Sequence, residues 1–247
     1  MHIISLLFND IVYRPLLNGL VLIYTWLPYH DLGFSIIILT LLVRLALHPT
    51  VVSTVKTQLI MPKVQAELKE IQKKFKDDSK EQAARSMAVY REHGVHPFSF
   101  IVPILIQIPV FLGLFQVFRT GILLTDHTLL YSFIPHIAAF NTIAFGFLDL
   151  TQRSIPLAVV AAISQFLQGR YSPKPPDIKG AATDDVARAM RWQTMYIFPI
   201  FFGGIALVMP AALALYWTAL NLLAIVQQLW IQQRLNGERA RANQPNP

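Results

Sequence analysis

The chain has 247 residues, 54% of them hydrophobic and only 14% charged, with a formal net charge of +7 and no cysteine. A soluble domain carries about 25% charged residues, so the bulk of this chain belongs in a membrane. Without cysteine there is no disulfide, thiolate metal site, cysteine nucleophile or lipid-modified N-terminal cysteine. The seven histidines form no metal-ligand pattern. No nucleophile–base pair, phosphate loop or cofactor signature occurs either, so an enzyme is the least expected class.

The opening MHIISLLFND lacks the basic n-region and cleavage site of a secretory signal peptide. Residues 1–32 read as an interfacial or membrane-associated helix, interrupted by Asn9, Asp10, Arg14 and Pro15. Its apolar part, 16–27, is short for a span and long enough to lie at the interface. Residues 33–53 read as the first clear transmembrane span. Across 32–55 there are 24 residues with Arg44 as the sole charge. As one helix that run is about 36 Å long against a hydrocarbon core of roughly 30 Å. Arg44 then sits near the midplane, beyond the reach of full snorkelling. An arginine there costs about 2.5–3.5 kcal/mol on insertion scales and more in simulations. No other apolar run long enough to span carries an Asp or Glu, so Arg44 is expected to face a wet, polar cavity. Thr40, one turn earlier, shares its face.

Residues 54–96 carry nine Lys/Arg and six Asp/Glu. Val64, Leu68, Ile71 and Phe75 form one helical stripe, and Ala83, Met87 and Tyr90 another. Asp77-Asp78 interrupts them, Ser79 with Gln82 suggests a capping box, and Gly94 suits a C′ position. The expectation is an antiparallel helical hairpin. Residues 97–119 form a second span containing Pro103, Gln107, Pro109 and Gln116. Within 120–153 the run 129–148 is apolar enough to cross but holds Pro135, His136 and Asn141; 154–171 is the alternative. Both cannot cross without turning the basic segment 170–191 to the other side. Residues 195–230 hold no charge over 36 positions, about 54 Å as one helix and too long for one crossing. Pro210-Ala211-Ala212 divides them into spans 192–210 and 213–233. The loop 172–191 and a tail from 234 to 247 are polar, the tail expected to be disordered.

Seventeen of the 21 Lys/Arg lie in the 54–96 arm, the 170–191 loop and the tail. The positive-inside rule places these three in the cytoplasm, with five spans and an external N-terminus or six and an internal one. Depth within the last span favours Tyr216 and Trp217 as cavity lining over an aromatic belt, whereas Trp26, Tyr29 and Trp192 suit a belt. Gln107 is divided between cavity lining and a helix–helix hydrogen bond, and Asn221 favours the latter.

Several dispersed motifs resemble the YidC/Oxa/Alb family of membrane protein insertases. GFSIIILTLLVRLALHP at 33–49 resembles the first core helix, and MPKVQAELKEIQKKFKDD at 61–78 the start of the cytoplasmic hairpin. HPFSFIVPILIQIPVFLGLF at 96–115 resembles the next span. FLDLT at 147–151 is similar to the external element before the third core span, which selects 154–171 as the crossing. MPAALALYWTALNLLAIVQQ at 209–228 resembles the last span, with Ala211-Ala212 where Ser-Gly is more usual. The likeness covers roughly residues 13–235.

The resemblance implies an all-α integral membrane protein with five core transmembrane helices around a hydrophilic groove, open to cytoplasm and lipid. Arg44 would be the groove arginine, Tyr216 and Trp217 its aromatic lining, and Gln165 or Gln168 the glutamine of the third span. It implies a multi-pass protein of the bacterial plasma (inner) membrane that inserts and helps fold nascent membrane proteins, with no cofactor and no nucleic-acid substrate. Ribosome and Sec translocon are candidate partners, though the basic tail is reduced to Arg234, Arg239 and Arg241. No large periplasmic domain or lipidated cysteine precedes the core, so a minimal member is expected. Competing readings are an anion or solute channel and a partner-dependent assembly factor.

Overall fold

The computed structural model describes residues 6–95, 101–119, 127–171 and 192–242. The expected 172–191 loop, residues 97–100 of the second span and the last five residues of the tail lie outside the described residues. The described elements are helices apart from one short pair of strands, with residues 130–154 otherwise in turns and irregular chain.

α1 (Leu6–Trp26) is 21 residues long. Pro15 has no N–H to give the carbonyl four residues back, and the ladder widens into a π turn at Asn9–Tyr13 just before it. α2 (Leu32–Ala46) starts at an Asp31 N-cap whose side chain accepts the Phe34 N–H. The run expected as one straight span breaks at Leu47, and α3 (His48–Lys74) leaves at 62°. Pro49 is the physical reason, since it cannot donate to the Leu45 carbonyl and crowds the preceding turn.

α4 (Ser79–Glu92) completes the hairpin. Its cap is Asp78, which accepts from the Lys80 and Glu81 N–H groups, so Ser79 is the first helical residue and no capping box forms there. Val64, Val89 and Val95 are buried together, with Leu68, Ile71 and Tyr90 against them. Met87 is 45% exposed; Val89, two residues on and about 200° round the helix, takes the seam instead. Gly94 adopts φ +63° and closes the helix as expected.

α5 (Ile101–Arg119) carries Pro109 internally. Residues 129–148, one candidate crossing, contain no α-helix; β1 (Ile143–Ala144) and β2 (Leu148–Asp149) pair antiparallel inside them. α6 (Ile155–Tyr171) follows. α7 (Phe198–Val208) repeats the α1 pattern, with a π turn at Gln193–Ile197 just ahead of Pro199. α8 (Ala211–Ala242) has 32 residues and continues nine beyond the expected span, through the stretch expected to be disordered. An Arg234–Glu238 pair at 3.1 Å, one turn apart, supports that extension.

α8 packs on α2 and α6, α6 on α7, α1 on α2 and α5. By length and apolarity α1 and α8 can each cross a membrane, the bent α2–α3 pair counts as a third candidate, and Leu105–Arg119 and Met195–Val208 are shorter apolar helices. Residues 127–154 cap this bundle. Asn18, 2% exposed, donates to the Leu129 carbonyl at 3.0 Å and accepts the Tyr131 N–H at 2.7 Å. The Tyr24 hydroxyl accepts the Asn141 N–H, and the second Asp31 carboxylate oxygen accepts that of Phe145. Gln152 and Leu150 carbonyls accept the first two N–H groups of α8. Phe145 holds φ +55° with its ring against Gly33, where a Cβ would come within 2.7 Å of Ala144 and the ring. The Thr151 hydroxyl and N–H hold the Asp149 carboxyl below the usual carboxylate range, so this turn loses support as pH falls through that lowered value.

Candidate functional site: a cavity between three helices

On α2, Thr40, Val43, Arg44 and Leu47 fall at i, i+3, i+4 and i+7, which is one stripe of a helix. Gln107, Val110 and Leu114 make the matching stripe on α5, and Tyr216 and Leu220 on α8. With Val51 of α3 these residues line one cavity. Its volume is about 40 Å³, room for about three waters. Its walls are mostly aliphatic, and the polar groups converge from three different helices.

Arg44 is half-buried. Its Nε and Nη2 both donate to Gln227 Oε1 of α8, at 3.0 and 2.7 Å. Gln227 Nε2 in turn lies 2.9 Å from His48 Nδ1, and the His48 ring lies 5.8 Å from that of Trp230. Among the described residues no carboxylate comes within ion-pair distance of Arg44. A guanidinium has five N–H donors, and Gln227 takes two of those of Arg44. Thr40 directs its hydroxyl to the Ile36 carbonyl at 2.6 Å, so it contributes mainly a methyl to the wall. Gln107 both lines the cavity and donates to the Tyr216 hydroxyl at 3.2 Å. Tyr216 is 1% exposed and marks the floor, beyond which Leu213, Leu17, Leu20, Ile36 and the cap residues Ile134 and Leu150 form one continuous apolar core.

Trp217, Gln165 and Gln168 do not line this cavity. One residue along α8 turns the side chain by about 100°, which sends Trp217 away from Tyr216. Its ring packs 3.9 Å from Phe202 and 5.2 Å from Phe111, and Nε1 donates to buried Gln165 Oε1 at 2.9 Å. Asn221 donates to Ser164 Oγ at 3.1 Å on the same side. These contacts fasten α8 to α6 and α7. Gln168 is half-buried on α6.

Gln227 was missed in the sequence. The signal was its spacing: Tyr216, Leu220 and Gln227 are i, i+4 and i+11, hence on one face, and an uncharged amide inside an apolar run faces protein more readily than lipid. Among the described residues no three His, Asp or Glu come together as a metal site.

The family model described as 60Kd inner membrane protein matches residues 23–239. A membrane protein insertase YidC of Fusobacterium nucleatum is 31% identical over 204 residues, covering 83% of this chain and 87% of the relative. One from Herminiimonas arsenicoxydans is 29% identical over 214 residues, covering 85% of this chain and 35% of its own. One from Oleidesulfovibrio alaskensis is 31% identical over 221 residues, at 90% and 38%. The chain thus spans nearly all of the first relative and about a third of the other two.

Proposed function

This chain belongs to the 60Kd inner membrane protein family, and from that premise we propose that it is a membrane protein insertase working through the Arg44 cavity. It resides in the bacterial inner membrane and takes nascent membrane proteins as clients. Five core helices cross: α2 with the start of α3, α5, α6, α7 preceded by its π turn, and the apolar part of α8. The α3–α4 hairpin, the 172–191 loop and the C-terminus lie in the cytoplasm, and residues 120–153 outside. The ribosome and the Sec translocon are proposed partners on the cytoplasmic and lateral sides.

The observation that carries this reading is one guanidinium lining a small cavity with room for water and, among the described residues, only a neutral amide hydrogen-bonded to it. A client must move a short hydrophilic flank through hydrocarbon. Water and a fixed positive charge inside the bilayer lower the desolvation cost and draw acidic flanks. Once the flank has crossed, the apolar segment partitions into lipid and no bond is broken. A channel needs a polar path to both sides. The apolar core between Tyr216 and the cap argues against one.

The test is reconstitution of purified protein in liposomes with a single-span client bearing an acidic N-terminal flank. Protease protection of that flank above empty liposomes is the expected result. Folded protein that protects no flank would refute autonomous insertion and favour a partner-dependent assembly factor.

A further inference from the structure

We propose that Gln227 is the positioning residue of the cavity, fixing the Arg44 guanidinium while leaving its charge unneutralised; this rests on the insertase reading above. A long arginine in a wet cavity has many rotamers, and an untethered one would drift toward the nearest interface. Gln227 removes that freedom by accepting from Nε and Nη2 at once. The contact with His48 Nδ1 orients the amide, because a neutral imidazole nitrogen accepting from Nε2 leaves Oε1 turned to Arg44. The Gln227 Nε2 contact to the Arg44 carbonyl, at 3.5 Å, lies on the same side. The amide therefore bridges the end of α2, the first residue of α3 and the middle of α8, at the 62° bend.

Chemically, the choice of amide over carboxylate matters. A glutamate at this position has the same length and can take the same two hydrogen bonds. It would also pair its charge with Arg44, while its second oxygen would take the place of the Nε2 that faces His48 Nδ1 and the Arg44 carbonyl. The pair would be electrically silent. A neutral acceptor gives position without cancelling the field, so the cavity keeps a net +1 for an incoming acidic flank. No carboxylate among the described residues comes within ion-pair range of Arg44 to undo this.

The test compares Gln227→Glu and Gln227→Leu with the parent in proteoliposomes, using two clients that differ only in an acidic or a neutral translocated flank. Thermal melting in detergent is followed beside insertion. Gln227→Glu is expected to remain folded, melting near the parent, and to lose about tenfold to a hundredfold in acidic-flank insertion, with a much smaller loss for the neutral client. Gln227→Leu, which leaves the charge but not the tether, should keep a preference for the acidic flank at reduced efficiency. Parental handling of the acidic client by Gln227→Glu would overturn the proposal, as would equal loss of both clients in both variants. A parent that inserts neither client would instead refute the insertase reading on which it rests.

Discussion

Arg44→Ala is expected to lower insertion of an acidic-flank client about a hundredfold while leaving a neutral-flank client little changed. Two unit charges about 6 Å apart at an effective dielectric near 20 interact by ~3 kcal/mol, which is about two decades in rate. Arg44→Lys keeps the charge but replaces the planar fork by a single ammonium, so it should fall between parent and alanine. The stability readout should move the other way. A buried arginine without an ion pair is costly in a bilayer, and the cavity has room for water to satisfy the Gln227 carbonyl once Arg44 is gone. Thermal melting of Arg44→Ala at or above the parent, with acidic-flank insertion lost, identifies a residue retained for its charge. Lower melting with both clients lost together would assign it a structural role.

The largest effect on the fold is expected at Asn18→Leu. This near-isosteric change leaves the Tyr131 N–H without its acceptor, and the Leu129 carbonyl with only the longer Arg14 Nε contact at 3.4 Å. The orphaned N–H costs about 1–3 kcal/mol where water cannot reach it, and the weakened carbonyl adds less. A total of about 2 kcal/mol lowers the melting temperature of a chain this size by roughly 4–8 °C. The cap should loosen first, seen as faster amide exchange at Tyr131 and Asn141. A melting point within a degree or two of the parent would mean that water replaces the amide and that Asn18 does not hold the cap.

Much of the helical framework was legible, because apolar periodicity and charge runs are local properties of the chain. The stripe of Thr40 and Arg44 on α2, and the hairpin seam through Val64, Leu68 and Ile71, needed only the 3.6-residue period. Where the reading fell short, the cause is also physical. Pro49 was visible, but the apolar run around it was read as continuous, and the 62° bend followed the missing donor instead. Asp78 caps α4 in place of Ser79 because either residue type fits an N-cap and tertiary geometry decides between them. The extension of α8 past residue 233 reflects good helix formers and an i, i+4 ion pair in a stretch judged only by its polarity.

The candidate site was legible in part for a related reason. Arg44, Thr40, Gln107 and Tyr216 line one cavity, and each stands out in the sequence as a polar or aromatic position inside a span. Trp217 and Gln165 were grouped with them although one step along α8 separates the two faces, and they meet each other instead. The Arg44–Gln227 contact joins positions 183 residues apart, and no local pattern on α2 announces it. The cap is similar: Asn18 finds Leu129 and Tyr131 across more than a hundred residues, through backbone groups that sequence composition does not mark.

The central claim is that a fixed positive charge in this cavity selects the flank that crosses. Reversing that charge tests it most directly. Parent and Arg44→Glu protein, matched for melting temperature and reconstituted separately, would each be given an acidic-flank and a basic-flank version of one client. Protected flank is then measured for all four pairs. Preference for the acidic flank by the parent, inverted to the basic flank by Arg44→Glu, is the predicted result. Loss of both clients in step, or an unchanged preference, would contradict it.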